Sequence, residues 1–514
     1  MNGADALIQT LTENGVTACF ANPGTSEMQF VSALDRERRM RAVLCLFEGV
    51  ATGAADGYGR MAGVPACTLL HLGPGCGNGL ANLHNARRAF TPLLNIVGDH
   101  ATYHRRFDAP LSSDIAAIAG SNSVWVKSAE RPDDVGALAV EAIEASLAPP
   151  GGPASLILPA DCAWSPSNAV GGKASPARRK AAPSSAVESA ARRIRGARKP
   201  TILLGSPACS ERGLAAAGRL AAAGVRVLTD GFISRQPRGA GRFAPDRMMY
   251  FAEMALSDLE GVDLMALAET KSPVAFFAYP GKPSSMLPEG CETILLAGLD
   301  EDGPAALEAL ADALAAPREP KLQPLDLPGG PPRGPLAPAT VGVSMARHLP
   351  EGAIVSDDSV TAGQPIINVT RTARPHEWLG LTGGAIGQGI PVAVGAAVAA
   401  PGRKVVSLNG DGAAAYTAQG LWTLAREALD VTVVIFANNV YRILAIELAR
   451  TGAGPAGPSA SSLLSLAEPA IDWVSLAKGF GLPAERCSTA EDFDAAFGRA
   501  MAEPGPRLIE AAIA

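Results

Sequence analysis

The sequence predicts an α/β protein made of three open, mostly parallel α/β domains, and three observations carry that reading. The chain has 514 residues, too many for one hydrophobic core, since cores stop growing near ~250–300 residues. Two stretches, Pro166 to Ala186 and Pro317 to Pro338, are rich in Pro, Gly, Ser and charge and show no apolar periodicity, so they read as linkers. They divide the chain into segments 1–165, 187–316 and 339–514. Within each segment a short aliphatic run, a glycine-bearing turn and an alanine-rich helix alternate, as parallel sheets require.

The elements follow in order. In the first segment AVLCLF precedes the helical EGVATGAADGYGRMAG, and ACTLLHL precedes GPGCGNGLANLHNARR, with LLNIVG as the next strand. In the second, TILLG, the helix ERGLAAAGRLAAAG and the strand VRVLTD are followed by VAFFA and TILLAG, both expected as strands. In the third, AIVSD, KVVSLNG and VTVVIFANN are strands, and TAQGLWTLAREAL is the helix between the last two. Ligands of such sheets sit beyond the carboxyl ends of the strands, so strand-ending residues are the informative ones.

Composition narrows the function. The chain is 47% hydrophobic and 18% charged with a formal net charge of −6, which excludes disorder and argues against nucleic acid as a partner. Eight cysteines never occur as C-x-x-C, so neither a zinc knuckle nor a redox pair is spelled, and buried thiols in the cytoplasm are expected. The N-terminus has no basic region before an apolar stretch and does not resemble a secretory signal. Leu379 to Ala400 carries no charge, but its six glycines and Pro391 suit a buried turn and helix better than a membrane span.

The sharpest motif is Gly410-Asp411-Gly412 at one strand end with Asn438-Asn439 at the next. If the strands are neighbours, a carboxylate and an amide carbonyl share one sheet edge, which suits Mg²⁺ completed by water and a diphosphate. Gly410 and Gly412 permit close backbone approach, and the helix opening at Gly412 and Ala413 presents free N–H groups. This pattern resembles the thiamine-diphosphate motif of the acetolactate synthase and benzoylformate decarboxylase superfamily. The resemblance implies thiamine diphosphate and Mg²⁺ as cofactors, with Asp411, Asn439 and the main chain of Tyr441 holding the metal.

The same resemblance extends to Glu48. In Glu48-Gly49-Val50-Ala51, followed by Ala55-Asp56-Gly57-Tyr58-Gly59-Arg60, Glu48 corresponds to the glutamate that hydrogen-bonds the aminopyrimidine and drives formation of the C2 ylide. Gly383-Gly384-Ala385-Ile386-Gly387 is similar to the loop that bends the cofactor, with Ile386 as wedge and the Gly384 carbonyl receiving the 4′-amino group. Val360 and Thr361 match diphosphate contacts. The family places its cofactor between the first domain of one subunit and the third domain of another, so a homodimer or homotetramer is implied.

On the substrate side, His71 ends a strand before a glycine-rich turn, where its pKa suits proton relay, and it matches the active-site histidine of benzoylformate decarboxylase. Asn22-Pro23-Gly24-Thr25-Ser26-Glu27 resembles that enzyme's substrate loop, with Thr25 as the expected hydroxyl contact. No histidine stands between His104 and His348, so the second active-site histidine has no counterpart. The remaining histidines, His84 among them, read as surface or packing residues, and FAD stays open. The expected activity is decarboxylation of a small 2-oxo acid through an enamine, with carboligation as in acetolactate synthases. Two alternatives stand beside it, a benzoylformate-decarboxylase-like enzyme without carboligation and a regulatory homologue that binds cofactor without turnover.

Overall fold

The computed structural model describes residues 1–513, which form three sheets. The first has six parallel strands in the order Arg41–Leu44, Ala18–Asn22, Ala66–Leu70, Leu93–Asp99, Pro153–Pro159 and Trp125–Ser128. The second orders Asp246–Arg247, Arg226–Thr229, Pro200–Leu204, Leu264–Ala268 and Glu292–Ala297, again all parallel. The third runs Ala484–Cys487, Arg507–Ala512, Val431–Ala437, Val405–Gly410, Ala353–Asp358 and His376–Leu379 in parallel, and Gln236–Arg238 closes it as an antiparallel edge. Helices cover both faces, so central strands such as Val431–Ala437 are buried at every residue and read as unbroken apolar runs.

Two features depart from the sequence reading. VAFFA is not a strand: Val274 makes a single bridge to Ser285, while Val274, Phe276 and Phe277 are exposed. The edge beside Leu264–Ala268 that it would need is already taken by Glu292–Ala297, and Pro273 and Pro280 bracket the run. Conversely, Gln236–Arg238 lies in the middle segment by sequence, yet it pairs with His376–Leu379 of the third sheet. The uncharged stretch from Leu379 becomes a turn and the helix Gly389–Ala399, which is buried from Gly389 to Val398. Among the described residues no helix is long and apolar enough to cross a membrane.

The first and third sheets are joined by one close helix crossing. Helix Glu48–Ala62 lies on helix Gly389–Ala399, and both are made almost wholly of Gly, Ala and Val where they meet. A Cβ on Gly57 would stand 2.1 Å from the Val392 carbonyl oxygen, and one on Gly395 would stand 1.8 Å from that of Ala54. The obstacle in each case is backbone, which cannot swing aside, so the contact tolerates only glycine. Gly395→Val is therefore expected to cost about 3 kcal/mol or more, read as a lowered urea midpoint. Gly479→Ala, where nothing lies within 4 Å, should change stability by less than about 0.5 kcal/mol.

Candidate active site

Two groups of residues gather at strand ends. In the first domain Glu48 opens helix Glu48–Ala62 behind the extended Phe47 and is 5% exposed. Its Oε2 accepts a hydrogen bond from Asn78 Nδ2 at 3.0 Å, while Oε1 takes no donor among the described residues. A Cβ on Gly75 would fall 3.0 Å from that oxygen and 3.3 Å from His71 Cβ, so the bare glycine keeps the space between Glu48 and His71 clear.

His71 precedes helix Leu72–Arg88, and Leu72 is held at φ 48, a left-handed backbone that costs a non-glycine residue of order 1 kcal/mol or more. His71 Nδ1 lies 2.9 Å from Glu27 Oε2 and 3.3 Å from Ser26 Oγ. Glu27 is itself fixed, accepting from Gly24 N at 2.8 Å and from Ser26 Oγ at 2.6 Å. A carboxylate facing Nδ1 puts the proton there and leaves Nε2 as the nitrogen available to a ligand. Thr25, the expected hydroxyl, is exposed at the start of this turn and makes none of these contacts. Sequence reasoning thus missed Ser26, Glu27 and Asn78. Beyond the resemblance of the Asn22–Glu27 run, a signal for Glu27 was its three-residue spacing from Gly24, which suits a reciprocal cap at a turn.

The second group is in the third domain. Strand Val405–Gly410 and strand Val431–Ala437 are neighbours, so Asp411 and Asn439 share one edge as their spacing implied. Asp411 is 4% exposed, and its two carboxylate oxygens accept from Asn439 N at 2.6 Å and Gly412 N at 2.8 Å. Burial raises its carboxyl above the usual range, and these amides pull it back. Asn439 sits at φ 55, and its side-chain amide has no partner among the described residues. Nothing stands within 4 Å of a Cβ built on Gly410. Tyr441 packs its ring against Gly412, and its carbonyl accepts from Leu444 N at 3.0 Å and Ala445 N at 3.2 Å. Ala413 lies buried in the short helix Asp411–Ala415, and half-buried Thr361 lies in the turn Val360–Ala362 beside Val360 at φ 50.

The glycine loop between these groups is gripped from both domains. Asn85 accepts from Ala385 N at 3.2 Å and donates to Ala385 O at 2.7 Å, and His84 Nε2 lies 3.1 Å from Gly383 O. His84 is therefore a loop anchor rather than a plain surface or packing residue. On the other side Asp358 Oδ2 accepts from Gly387 N at 2.8 Å and Gly389 N at 3.2 Å, and Thr417 Oγ1 donates to Gly387 O at 2.8 Å. Burial pushes the Asp358 carboxyl up to about 7 against the pull of those amides. Gly384 and Gly387 adopt φ 79 and φ 98, which glycine alone does without penalty. The Gly384 carbonyl takes no donor among the described residues, and Ile386 beside it is half-buried.

These open groups suit a diphosphate cofactor with a divalent ion. A carboxylate, a free amide and backbone carbonyls form a hard oxygen set, and the described residues hold no cluster of three His, Cys, Asp or Glu that would serve another metal. The family comparison agrees on the diphosphate cofactor. Residues 1–118 match the model of the thiamine pyrophosphate enzyme N-terminal TPP binding domain, and residues 361–511 match that of the C-terminal TPP binding domain. The chain is 52% identical, over 100% of its length and 99% of the relative's, to a Mycobacterium tuberculosis protein named "Putative acetolactate synthase large subunit IlvX". The chain belongs to the thiamine pyrophosphate enzymes.

Two further members of the family match at lower identity. Benzoylformate decarboxylase of Pseudomonas aeruginosa is 27% identical, with 98% of this chain and 97% of the relative covered. The solved structure of a thiamine diphosphate-dependent 4-hydroxybenzoylformate decarboxylase from Rhodococcus jostii superposes with a TM-score of 0.85 at 26% identity, covering 100% of this chain and 99% of that one. This thiamine pyrophosphate enzyme thus has the three-sheet fold its sequence predicts.

The Asp56-Gly57-Tyr58-Gly59-Arg60 run has a mechanical role. Arg60 and Asp56 form a pair with side chains 1% and 0% exposed, joined at 2.8 Å and 2.5 Å, and Thr91 Oγ1 donates to Asp56 at 2.6 Å. The same guanidinium donates to the carbonyls of Gly380 at 2.7 Å and Ser234 at 3.3 Å and reaches Gln388 Oε1 at 3.3 Å. One side chain therefore ties the Glu48 helix to both ends of the glycine loop. Arg60→Met strands the buried Asp56 charge and is expected to cost about 3–5 kcal/mol in a urea unfolding curve. Adding Asp56→Asn to it should restore part of that loss, since the two sites couple.

Proposed function

We propose that this chain is a thiamine-diphosphate- and Mg²⁺-dependent enzyme that decarboxylates a small 2-oxo acid and passes the acyl unit to a second carbonyl, in the manner of acetolactate synthases. The observation that carries the reading is the pair of open groups at the two strand edges, Glu48 Oε1 in the first sheet's unit and the Asn439 side-chain amide beside Asp411 in the third. The 52% identical relative supports the acetolactate-synthase side of the family. When bound, thiamine diphosphate supplies a nucleophilic carbon and an electron sink for the departing carboxylate.

The chain's own residues do the rest. Asp411, the Asn439 side chain and the Tyr441 carbonyl would hold the metal, and the Ala413 N–H, with Gly412 and Thr361, would contact the phosphates. The Gly384 carbonyl would accept a hydrogen bond from the cofactor's amino group, and Ile386 would pack against the cofactor. Glu48, with Asn78 steadying Oε2, offers Oε1 to a ring nitrogen and holds the proton there. Glu27 and Ser26 orient His71 so that Nε2 can give or take a proton at the substrate carbon, and Thr25 lines the entrance.

The family's placement of its cofactor between two subunits supports a site assembled from Glu48 of one protomer and Asp411 of its partner in a homodimer or dimer of dimers. Removing the proton-holding group in Glu48→Gln should lower kcat about 10²–10⁴-fold with thiamine diphosphate affinity less affected, and undiminished turnover would end the proposal. Products from pyruvate and from benzoylformate, identified by mass spectrometry, should include a 2-hydroxy ketone; an aldehyde alone would end the carboligase assignment. Mixing the inactive Glu48→Gln and Asp411→Ala proteins under subunit exchange should restore about a quarter of wild-type activity, because half the dimers are hybrid and each hybrid has one intact site. No recovery despite exchange would place both groups in one chain.

A further inference from the structure

The middle sheet has the geometry of a nucleotide-binding layer, and its crevice is occupied by the protein itself. Strand order changes direction between Pro200–Leu204 and Leu264–Ala268, the switch point at which open α/β sheets bind their ligands. The two loops leaving it are already in contact: Gly205 N donates to Ala268 O at 2.9 Å, and a Cβ on Gly205 would stand 1.9 Å from the Glu269 carbonyl oxygen. Glu269, at φ 52 and fully buried, turns its carboxylate inward. There it meets the N-terminus of helix Gly303–Ala313, where a Cβ on Gly303 would be 2.6 Å from Glu269 Oε2 and the Gly303 amide stabilises the charge. That is where a phosphate would dock.

The counter-ion comes from outside the domain. Arg179, in the stretch read as a linker, forms a close ion pair with Glu269 and donates to the carbonyls of Leu299 at 3.0 Å and Glu301 at 3.1 Å. Burial pushes the Glu269 carboxyl up to about 7, and Arg179 opposes that rise. Lys180 N donates to Asp300 O at 3.0 Å, and Asp302 N donates to Lys180 O at 2.8 Å, so the chain is threaded along the edge. The rest of the rim is acidic. Asp230, half-buried at the next strand end, accepts from Thr270 at 3.1 Å, while Asp300 and Asp302 face Lys180 and Arg212 at 3.1 Å and 3.3 Å.

We infer that Arg179 and Glu269 stand in for a nucleotide, and that the middle domain binds neither FAD nor an adenine nucleotide. A dinucleotide would have to take half-buried Arg179 off the buried Glu269 and set its phosphates against Glu269 and Asp230, on a helix end that a carboxylate already neutralises. The inference is independent of which 2-oxo acid the enzyme uses.

The test uses the full-length protein with thiamine diphosphate and Mg²⁺. Purified enzyme should show no flavin absorbance, no quenching of FAD fluorescence on titration and no rise in Tm with FAD or ADP. Co-purifying flavin, or a Tm rise of more than about 2 °C with either nucleotide, would overturn it. Opening the latch gives a second readout. In Glu269→Gln, and also in Glu269→Ala where that variant folds, tryptic cleavage after Arg178, Arg179 and Lys180 should quicken about tenfold, matching loss of a charged hydrogen bond. Unchanged cleavage in Glu269→Gln would show that Glu269 does not hold the linker and would overturn the latch.

Discussion

The backbone-close crossing of the helices Glu48–Ala62 and Gly389–Ala399 is the constraint on which the rest depends. It places Gly57 against Val392 and Gly395 against Ala54 with no side chain between them, so the two sheets have one relative position rather than a range. Because Glu48 opens one of these helices and the glycine loop feeds the other, both are set by the same contact. Side-chain packing alone would leave slack of the order of a methyl group, whereas a backbone-to-backbone stop leaves almost none. Arg60 then adds direction to the position, since its fork reads Asp56 on its own helix and Gly380 and Gln388 across the crossing.

Around that rigid joint the functional groups are divided between anchored and open atoms. Asp411 and Glu27 spend their oxygens on backbone amides or neighbouring side chains, Asp358 spends its Oδ2 on two backbone amides, and each thereby fixes a turn. Glu48 Oε1, the Asn439 amide and the Gly384 carbonyl take no partner among the described residues. Standing at three strand-end turns, they are the groups free to meet a ligand. The left-handed residues Leu72, Val360 and Asn439 lie beside these turns, and strain of this kind persists only where surrounding structure holds it.

Much of this was legible in the residues, and the part that was not has a common cause. Gly410-Asp411-Gly412 and Asn438-Asn439 could be read because neighbouring strands of a parallel sheet bring their ends to one edge, a local rule. Glu48 and His71 were legible as strand-to-helix junctions. Asn78 on Glu48, His84 and Asn85 on the glycine loop, and Arg60 on Gly380 were not, because each partner is reached across 30 or about 300 residues and depends on tertiary packing that periodicity does not encode. VAFFA failed as a strand for a related reason: its composition is right, but its place in the sheet is filled. Gln236–Arg238 is a three-residue edge strand with a central proline, too short for alternation to register.

The middle segment has a structural role that its sheet alone does not suggest. It lends Gln236–Arg238 to the third sheet, Ser234 O to Arg60, and Arg235 to Glu377 at 3.0 Å and to the carbonyls of Arg60 and Met61. The loop beginning at Asp230 thus braces the same helix and glycine loop from a third direction. Asp230, where this loop departs, accepts from Thr270 at 3.1 Å, one residue beyond the Glu269 that Arg179 pairs. The ion pair and the brace thus share one turn, and a fixed brace is what a loop completed from several domains requires.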